Sequence, residues 1–226
     1  MAEQRTLVVA TKNEHKVAEI VAIAGSFGYV AISRETAGIP DFEVEEHGTT
    51  FEENSMAKAR AIFNYFVTEK GAAVAVLADD SGIEVDALNG LPGVYSARFA
   101  EEPEDANDFM AADRDFGQMH RSRQDRANNA KLLRLLEGTP SENRTARFIS
   151  AITCLLPDGK EIVCRGIVEG RIDFMSSGSG GFGYDPLFIP SGYKRSFGFF
   201  TQGDKNAISH RGRALTELAE KLAGRQ

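Results

Sequence analysis

Residues 76–91 read VLADDSGIEVDALNGL. The apolar run 73–78 reads as a buried strand. It is expected to end at Asp79-Asp80, with Ser81-Gly82 as a tight turn. A second strand-like run, 83–88, leads to Asn89-Gly90, a strong turn signal. This reading puts two acids at the mouth of a buried strand. An unpaired buried charge is costly, so the pair points to a metal or general-base site. Asp, Ser and Gly are also ordinary residues of a solvated turn, and the stretch alone leaves both readings open.

Upstream, 6–10 (TLVVA) is a short buried-type strand, followed by Thr11, Lys12, Asn13, Glu14, His15 and Lys16. Val17, Ile20, Val21 and Ala24 then recur at the spacing of one helix face, with Asn13 as the N-cap. Lys16 falls in the first turn, where a cation opposes the helix dipole unless an anion shares the site. Backbone N–H groups and a lysine together form a phosphate cradle, though without the glycines of a P-loop. An exposed lysine on a capped helix is the plainer reading.

Residues 29–33 suggest another strand, and 34–48 an acidic, solvated loop containing Glu43, Glu45 and Glu46. Thr50 and Glu53 have capping-box spacing. The helix they open shows Ala59, Ile62, Phe63, Phe66 and Val67 on one face, with Glu53, Asn54 and Lys58 in its early turns.

Downstream, 101–124 is highly charged with little periodicity, a surface insertion or lid. Helical character resumes over 124–136, with Ala130, Leu132, Leu133 and Leu136 apolar. Residues 146–156 and 160–172 form two strands joined at Pro157-Asp158-Gly159. The segment 176–186, SSGSGGFGYDP, sets Phe182, Tyr184 and Asp185 among glycines, a composition suited to stacking on a flat heterocycle. A last helix begins near Ser209, with Leu215, Leu218, Ala219 and Leu222 apolar. His210 and Arg211 lie in its first turn, repeating the oddity at Lys16.

Composition narrows the function. The 226 residues are 42% hydrophobic and 26% charged, ordinary for a globular protein of one large domain or two lobes. No apolar run approaches the ~20 residues needed to span a bilayer. The opening MAEQRTLVVA runs straight into a strand, so no signal peptide is expected. Cys154 and Cys164 lack metal-ligand spacing and read as buried thiols in a reducing cytoplasm, with a cross-strand disulfide as the alternative. A net charge of −7 argues against general nucleic-acid affinity but not against a small phosphorylated ligand.

Taken in order, TKNEHK (11–16), EEHGTTFEENSMAKA (45–59), ADDSGIEVDALNGLPGVYSARF (78–99), GSGGFGYDPLF (178–188) and KNAISHRGRAL (205–215) resemble the inosine triphosphate pyrophosphatases over nearly the whole chain. The resemblance implies an α/β fold, an elongated, twisted mixed sheet flanked by helices, in two lobes of one domain with a cleft between them. It implies a cytoplasmic homodimer that uses magnesium to hydrolyse ITP, dITP and XTP to the monophosphate and pyrophosphate. Neither nucleic acid nor membrane is implied as a partner. Carried over, Thr11, Lys12, Asn13, Glu14, His15 and Lys16 hold the triphosphate, and Asp80 is general base and metal ligand. Glu45 is the second metal carboxylate, with Glu46 as alternative, and Ser81 contacts substrate. Phe182, Gly183, Tyr184, Asp185, Lys205, His210 and Arg211 form the base pocket. The chain departs from the family pattern in the length of 101–124. It departs again at 197–203, FGFFTQG, where an Ala-Glu pair commonly precedes the lysine. Rival readings are a non-catalytic nucleotide binder and a pyrophosphatase for modified pyrimidine or methylated nucleotides.

Overall fold

A computed structural model describes residues 5–25, 28–101 and 121–224. Most of the charged segment 101–124 lies outside the described residues. The chain divides into two compact units. One comprises Met1–Ser81, Ile149–Ile167 and Asn206–Gln226, and the other Gly82–Phe148 and Val168–Lys205.

The elements are β1 (Arg5–Val9), α1 (Glu14–Ala24), β2 (Tyr29–Ser33), α2 (Phe51–Lys70), β3 (Ala75–Val85), α3 (Arg121–Leu135), β4 (Thr145–Leu155), β5 (Glu161–Ile172), β6 (Phe188–Pro190), α4 (Gln202–Ile208) and α5 (His210–Ala223). The strands hydrogen-bond in the order β2-β1-β3-β4-β5-β6. β1 runs parallel to both neighbours, with Leu7 opposite Ala31 on one side and Ala75 on the other. β5 and β6 are antiparallel, so the sheet is mixed. Helices flank it, as the resemblance implied.

In the first unit the strand period of two sorts the core. Leu7, Val9, Ala75 and Leu77 pack with Ile20 of α1 and Leu215 and Leu218 of α5. The alternate residues Val8, Ala10, Val76 and Ala78 pack with Ala59, Ile62 and Phe66 of α2. Each fully buried Leu or Ile contributes about 1.5–3 kcal/mol. Two helices therefore cover one face and one helix the other, which explains why β1 and β3 read as continuous apolar runs.

Local signals behave as expected. Asn13 Oδ1 accepts from the N–H groups of His15 and Lys16. Thr50 and Glu53 complete a capping box. Ser209 Oγ accepts from Gly212 N–H. Gly166 lets β5 pass close to the start of α5, since a Cβ there would lie 1.9 Å from the His210 carbonyl oxygen. Cys154 and Cys164 are buried thiols outside any disulfide among the described residues, and burial pushes the Cys164 thiol up to about 11.

Three expectations fail. β3 does not stop at Asp79 but runs unbroken to Val85, so residues 79–82 are strand rather than turn. Val21 and Val67, placed on buried helix faces, are exposed. The buried stripe of α3 is largely polar: Gln124, Asn128, Asn129 and Lys131 join Leu132, while Ala130 is exposed.

The second unit is built around aromatic rings. Phe148 meets Phe188 edge-on at 4.7 Å between centroids, and Phe188 lies 5.5 Å from Phe197. Buried Arg144 donates to the carbonyls of Leu136, Ile172 and Asp173, satisfying acceptors at the ends of α3 and β5.

Candidate active site

Because β3 continues through both aspartates, their side chains point to opposite faces of the sheet. Asp79 faces α1 and α5 with Leu77, and Asp80 faces α2 with Ala78. The two acids therefore belong to two different clusters.

Asp79 is fully buried and accepts from four side chains. Lys16 Nζ lies 2.8 Å from Oδ2, Arg211 contributes Nη2 at 3.0 Å and Nε at 3.3 Å, Ser150 Oγ lies at 2.5 Å and Ser81 Oγ at 3.2 Å. Arg211 is itself buried and also donates to Glu19 through Nη1 and to Ser81 through Nη2 at 2.8 Å. Two cations and two carboxylates thus balance in one largely buried cluster. Burial alone raises a carboxyl pKa, but Arg211 and Lys16 outweigh it and hold Asp79 well below the usual carboxylate range. Burial lowers the Lys16 ammonium despite Asp79, and its carboxylate partners raise the Arg211 guanidinium despite burial.

This arrangement answers the oddity of cations at two helix starts. The compensating anion is supplied from within, by Asp79 for Lys16 and by Asp79 and Glu19 for Arg211. Arg211, expected in the base pocket, has its guanidinium on Asp79, Glu19 and Ser81.

On the other face, Asp80 Oδ1 accepts from Lys58 Nζ at 2.7 Å and Oδ2 from Asn54 Nδ2 at 3.3 Å. Asn54 is oriented by its own Oδ1, which accepts from Gly48 N–H at 2.8 Å. Lys58 Nζ also donates to Glu46 Oε2 at 3.1 Å. Asp80 and Glu46 raise the Lys58 ammonium against the lowering effect of its burial. Glu45 is exposed and bonds His47 at 2.7 Å. Glu46 therefore shares the Lys58 ammonium with Asp80, while Glu45, expected as the second metal carboxylate, pairs with His47. Asp80 and Glu46 are hard oxygen donors of the kind magnesium takes, one or two carboxylates with phosphates and water completing its shell. No group of three or more His, Cys, Asp or Glu suited to a metal occurs among the described residues.

Of the other phosphate-side residues, Thr11 Oγ1 accepts from Asn13 N–H at 3.1 Å, and both residues are buried. Lys12 pairs with exposed Asp41 at 2.5 Å. Glu14 and His15 are exposed on the first turn of α1. His210, expected in the base pocket, is buried where α5 begins.

In the second unit, Asp185 is buried and its Oδ2 accepts from Lys205 Nζ at 2.6 Å and from Phe182 N–H at 2.8 Å. The Lys205 ammonium lies 4.5 Å from the centre of the Phe182 ring, a cation–π distance. Gly183 bonds Asp125 and Asn129 of α3, and the Tyr184 hydroxyl donates to the Ser96 carbonyl at 2.9 Å. Phe182, Gly183, Tyr184, Asp185 and Lys205 are thus one connected group. The atypical stretch 197–203 supports it: Phe197 packs 6.0 Å from the Lys205 ammonium, and Gly198 O accepts from Gly180 N–H at 2.8 Å.

Sequence reasoning missed Glu19, Ser150, Asp125 and Asn129. Glu19 had a signal, since it lies three residues after Lys16 and beside Ile20 on the buried stripe of α1. Asp125 and Asn129 extend the Leu132–Leu136 stripe of α3 backwards at helical spacing. Ser150, inside an apolar strand, had none.

Comparison with known proteins places the chain in a family. The family model described as the Ham1 family matches residues 7–221. The dITP/XTP pyrophosphatase of Clostridium perfringens is 43% identical over 220 residues, covering 97% of this chain and 98% of that protein. That of Desulforamulus reducens is 45% identical over 217 residues, covering 96% and 94%. Among solved structures, the Staphylococcus aureus Ham1 protein superimposes with a TM-score of 0.75 at 35% identity, covering 98% of this chain and all of that one. With a match running from β1 to the last turns of α5, the chain belongs to the Ham1 family.

Proposed function

We propose that this protein hydrolyses the non-standard purine nucleoside triphosphates ITP, dITP and XTP to the monophosphate and pyrophosphate, with magnesium, and so clears them from the nucleotide pool. The observation that carries the reading is Asp80: a carboxylate near the end of a buried run, held by Lys58 and Asn54 and sharing Lys58 with Glu46. The named relatives act on dITP and XTP.

Asp80 accepts the proton of the attacking water, and its two hydrogen bonds fix the carboxylate for that transfer. Asp80 and Glu46, or Glu45 in its place, would hold the magnesium ion. The bound ion supplies charge neutralisation and a more acidic water. Lys16 keeps 13% of its side chain exposed while anchored on Asp79, so its ammonium can turn one side to the departing pyrophosphate. Thr11 to His15 and Ser81 complete the phosphate-side set.

On the base side, Phe182 stacks on the purine and Lys205, steadied by Asp185, donates to its 6-oxo group. Adenine presents an amine there, which cannot accept from the ammonium and is rejected for that reason. A cytoplasmic homodimer belongs to the same reading, and sedimentation at micromolar concentration tests the dimer.

The deciding experiment is a panel of ITP, dITP, XTP, GTP, ATP and a modified pyrimidine triphosphate with magnesium, with products identified. Monophosphate plus pyrophosphate, fastest from ITP, dITP and XTP, is the expected result. Diphosphate plus orthophosphate, no turnover, or preference for the pyrimidine overturns it.

A further inference from the structure

The α3 helix has a polar buried stripe that the proposed chemistry does not use. At one point it takes hold of a single residue of the glycine-rich loop from both sides. Asp125 Oδ2 accepts from the Gly183 N–H at 2.8 Å, and Asn129 Nδ2 donates to the Gly183 carbonyl at 3.0 Å. Asp125 and Asn129 are one helical turn apart, so they present an acceptor and a donor side by side on a rigid element. Gly183 has φ of +60°, a conformation that other residues seldom adopt, so the loop turns at the gripped residue. Phe182 and Tyr184 flank it.

The same helix is anchored from behind. Asn128 Nδ2 donates to the carbonyls of Ser96 and Ala97, both at 3.2 Å, and its Oδ1 accepts from Ala100 N–H at 2.7 Å. Lys131 Nζ donates to the Phe99 carbonyl at 2.8 Å. Tyr184 returns to Ser96, so gripped loop and gripping helix share one backing. Asn129 Oδ1 is buried with no hydrogen-bond partner among the described residues. Burying half an amide unsatisfied costs stability. A small apolar residue would avoid that cost, so what Asn129 contributes lies in its bond to Gly183.

We propose that Asp125 and Asn129 are positioning residues that set base selectivity, by fixing the Gly183 backbone and with it the angle of Phe182 and the reach of Asp185 and Lys205. Neither residue touches substrate. The inference rests on the reading of Phe182–Asp185 as the base-side group. Losing the clamp loosens base recognition and leaves the chemistry at Asp80 intact. The signature is a rise in KM and a loss of discrimination, with kcat nearly unchanged.

The test uses the full-length protein with ITP and ATP, and four variants checked for an unchanged near-ultraviolet circular dichroism spectrum. Asp125→Ala removes the acceptor, and Asn129→Asp sets an acceptor against the Gly183 carbonyl. Each is expected to raise KM for ITP at least about tenfold and to lower the ITP-to-ATP ratio of kcat/KM by a similar factor, with kcat within about threefold. Asp125→Asn keeps an acceptor and is expected to restore both values to within about threefold of the parent. An unchanged ratio in a folded Asp125→Ala or Asn129→Asp protein, or an Asp125→Asn protein as impaired as Asp125→Ala, overturns the proposal. Phe182→Ala separates the two failures. If it shifts the ratio and the clamp variants do not, the clamp alone is wrong; if it shifts nothing, the base-side reading fails and the clamp with it.

Discussion

Arg211→Met probes the buried charge cluster directly. The parent holds Lys16 and Arg211 against Asp79 and Glu19, and Arg211 is 1% exposed. Methionine fills much of the same volume but removes the guanidinium that serves both acids. Asp79 keeps Lys16, Ser150 and Ser81, while the cluster is left one negative charge in excess. Breaking a buried ion pair by deleting one partner costs about 3–5 kcal/mol, most of it the penalty of the stranded charge. For a chain of this size each kcal/mol lowers the melting point by about 2–4 °C, so a fall of roughly 6–20 °C is expected. Urea unfolding at pH 7, followed by circular dichroism and by tyrosine fluorescence, measures it. Adding Glu19→Gln to Arg211→Met removes the excess charge and is expected to recover at least about 1 kcal/mol, a coupling that two independent residues would not show. A loss below about 1 kcal/mol in the single variant, or no recovery in the double, refutes the charge-balance argument.

Asp79 predicts a pH dependence. Its folded-state pKa is depressed, so the stability it contributes is complete above its unfolded value of about 3.9 and is lost as pH falls from there through the folded value. Acid unfolding of Asp79→Asn should therefore show a shallower decline below about pH 4 than the parent, and an unaltered slope would contradict the assignment. Asp80→Asn is expected to lower kcat by at least about a hundredfold in a protein that stays folded; activity within a few fold removes Asp80 as the base. Manganese titration followed by electron paramagnetic resonance, with nucleotide present, distinguishes the two glutamates. Glu46→Gln should weaken binding at least about tenfold and Glu45→Gln much less, and the reverse order returns the metal to Glu45.

Much of this protein could be read from its sequence, and what could be read is local. The caps at Asn13, Thr50 and Ser209 bond groups two or three residues away, so spacing alone predicts them. The hairpin at Pro157-Asp158-Gly159 and the αL residue Asn89 followed by Gly90 are equally local. The five segments that carry the family resemblance pointed to Asp80, Lys205 and the residues around them.

Residues 79–82 defeated local reading. Asp-Asp-Ser-Gly has the composition of a turn, and the strand continues only because partners remote in sequence neutralise the two acids. Arg211 is 132 residues from Asp79, and Lys58 is 22 from Asp80. Once the strand continues, its period of two sends the acids to opposite faces. One is enclosed by α1 and α5 as a fixed charge, and the other stands against α2 beside a polar loop. Glu19 lies 192 residues from the guanidinium it accepts from, and no pattern within α1 names that partner. The sequence by itself determined the helix caps, the apolar strand runs of β1, β4 and β5, and which residue types carry charge. Which charge meets which was decided by the tertiary structure, because a Coulomb interaction depends on separation in space and on exclusion of water, and neither is written in the order of the chain.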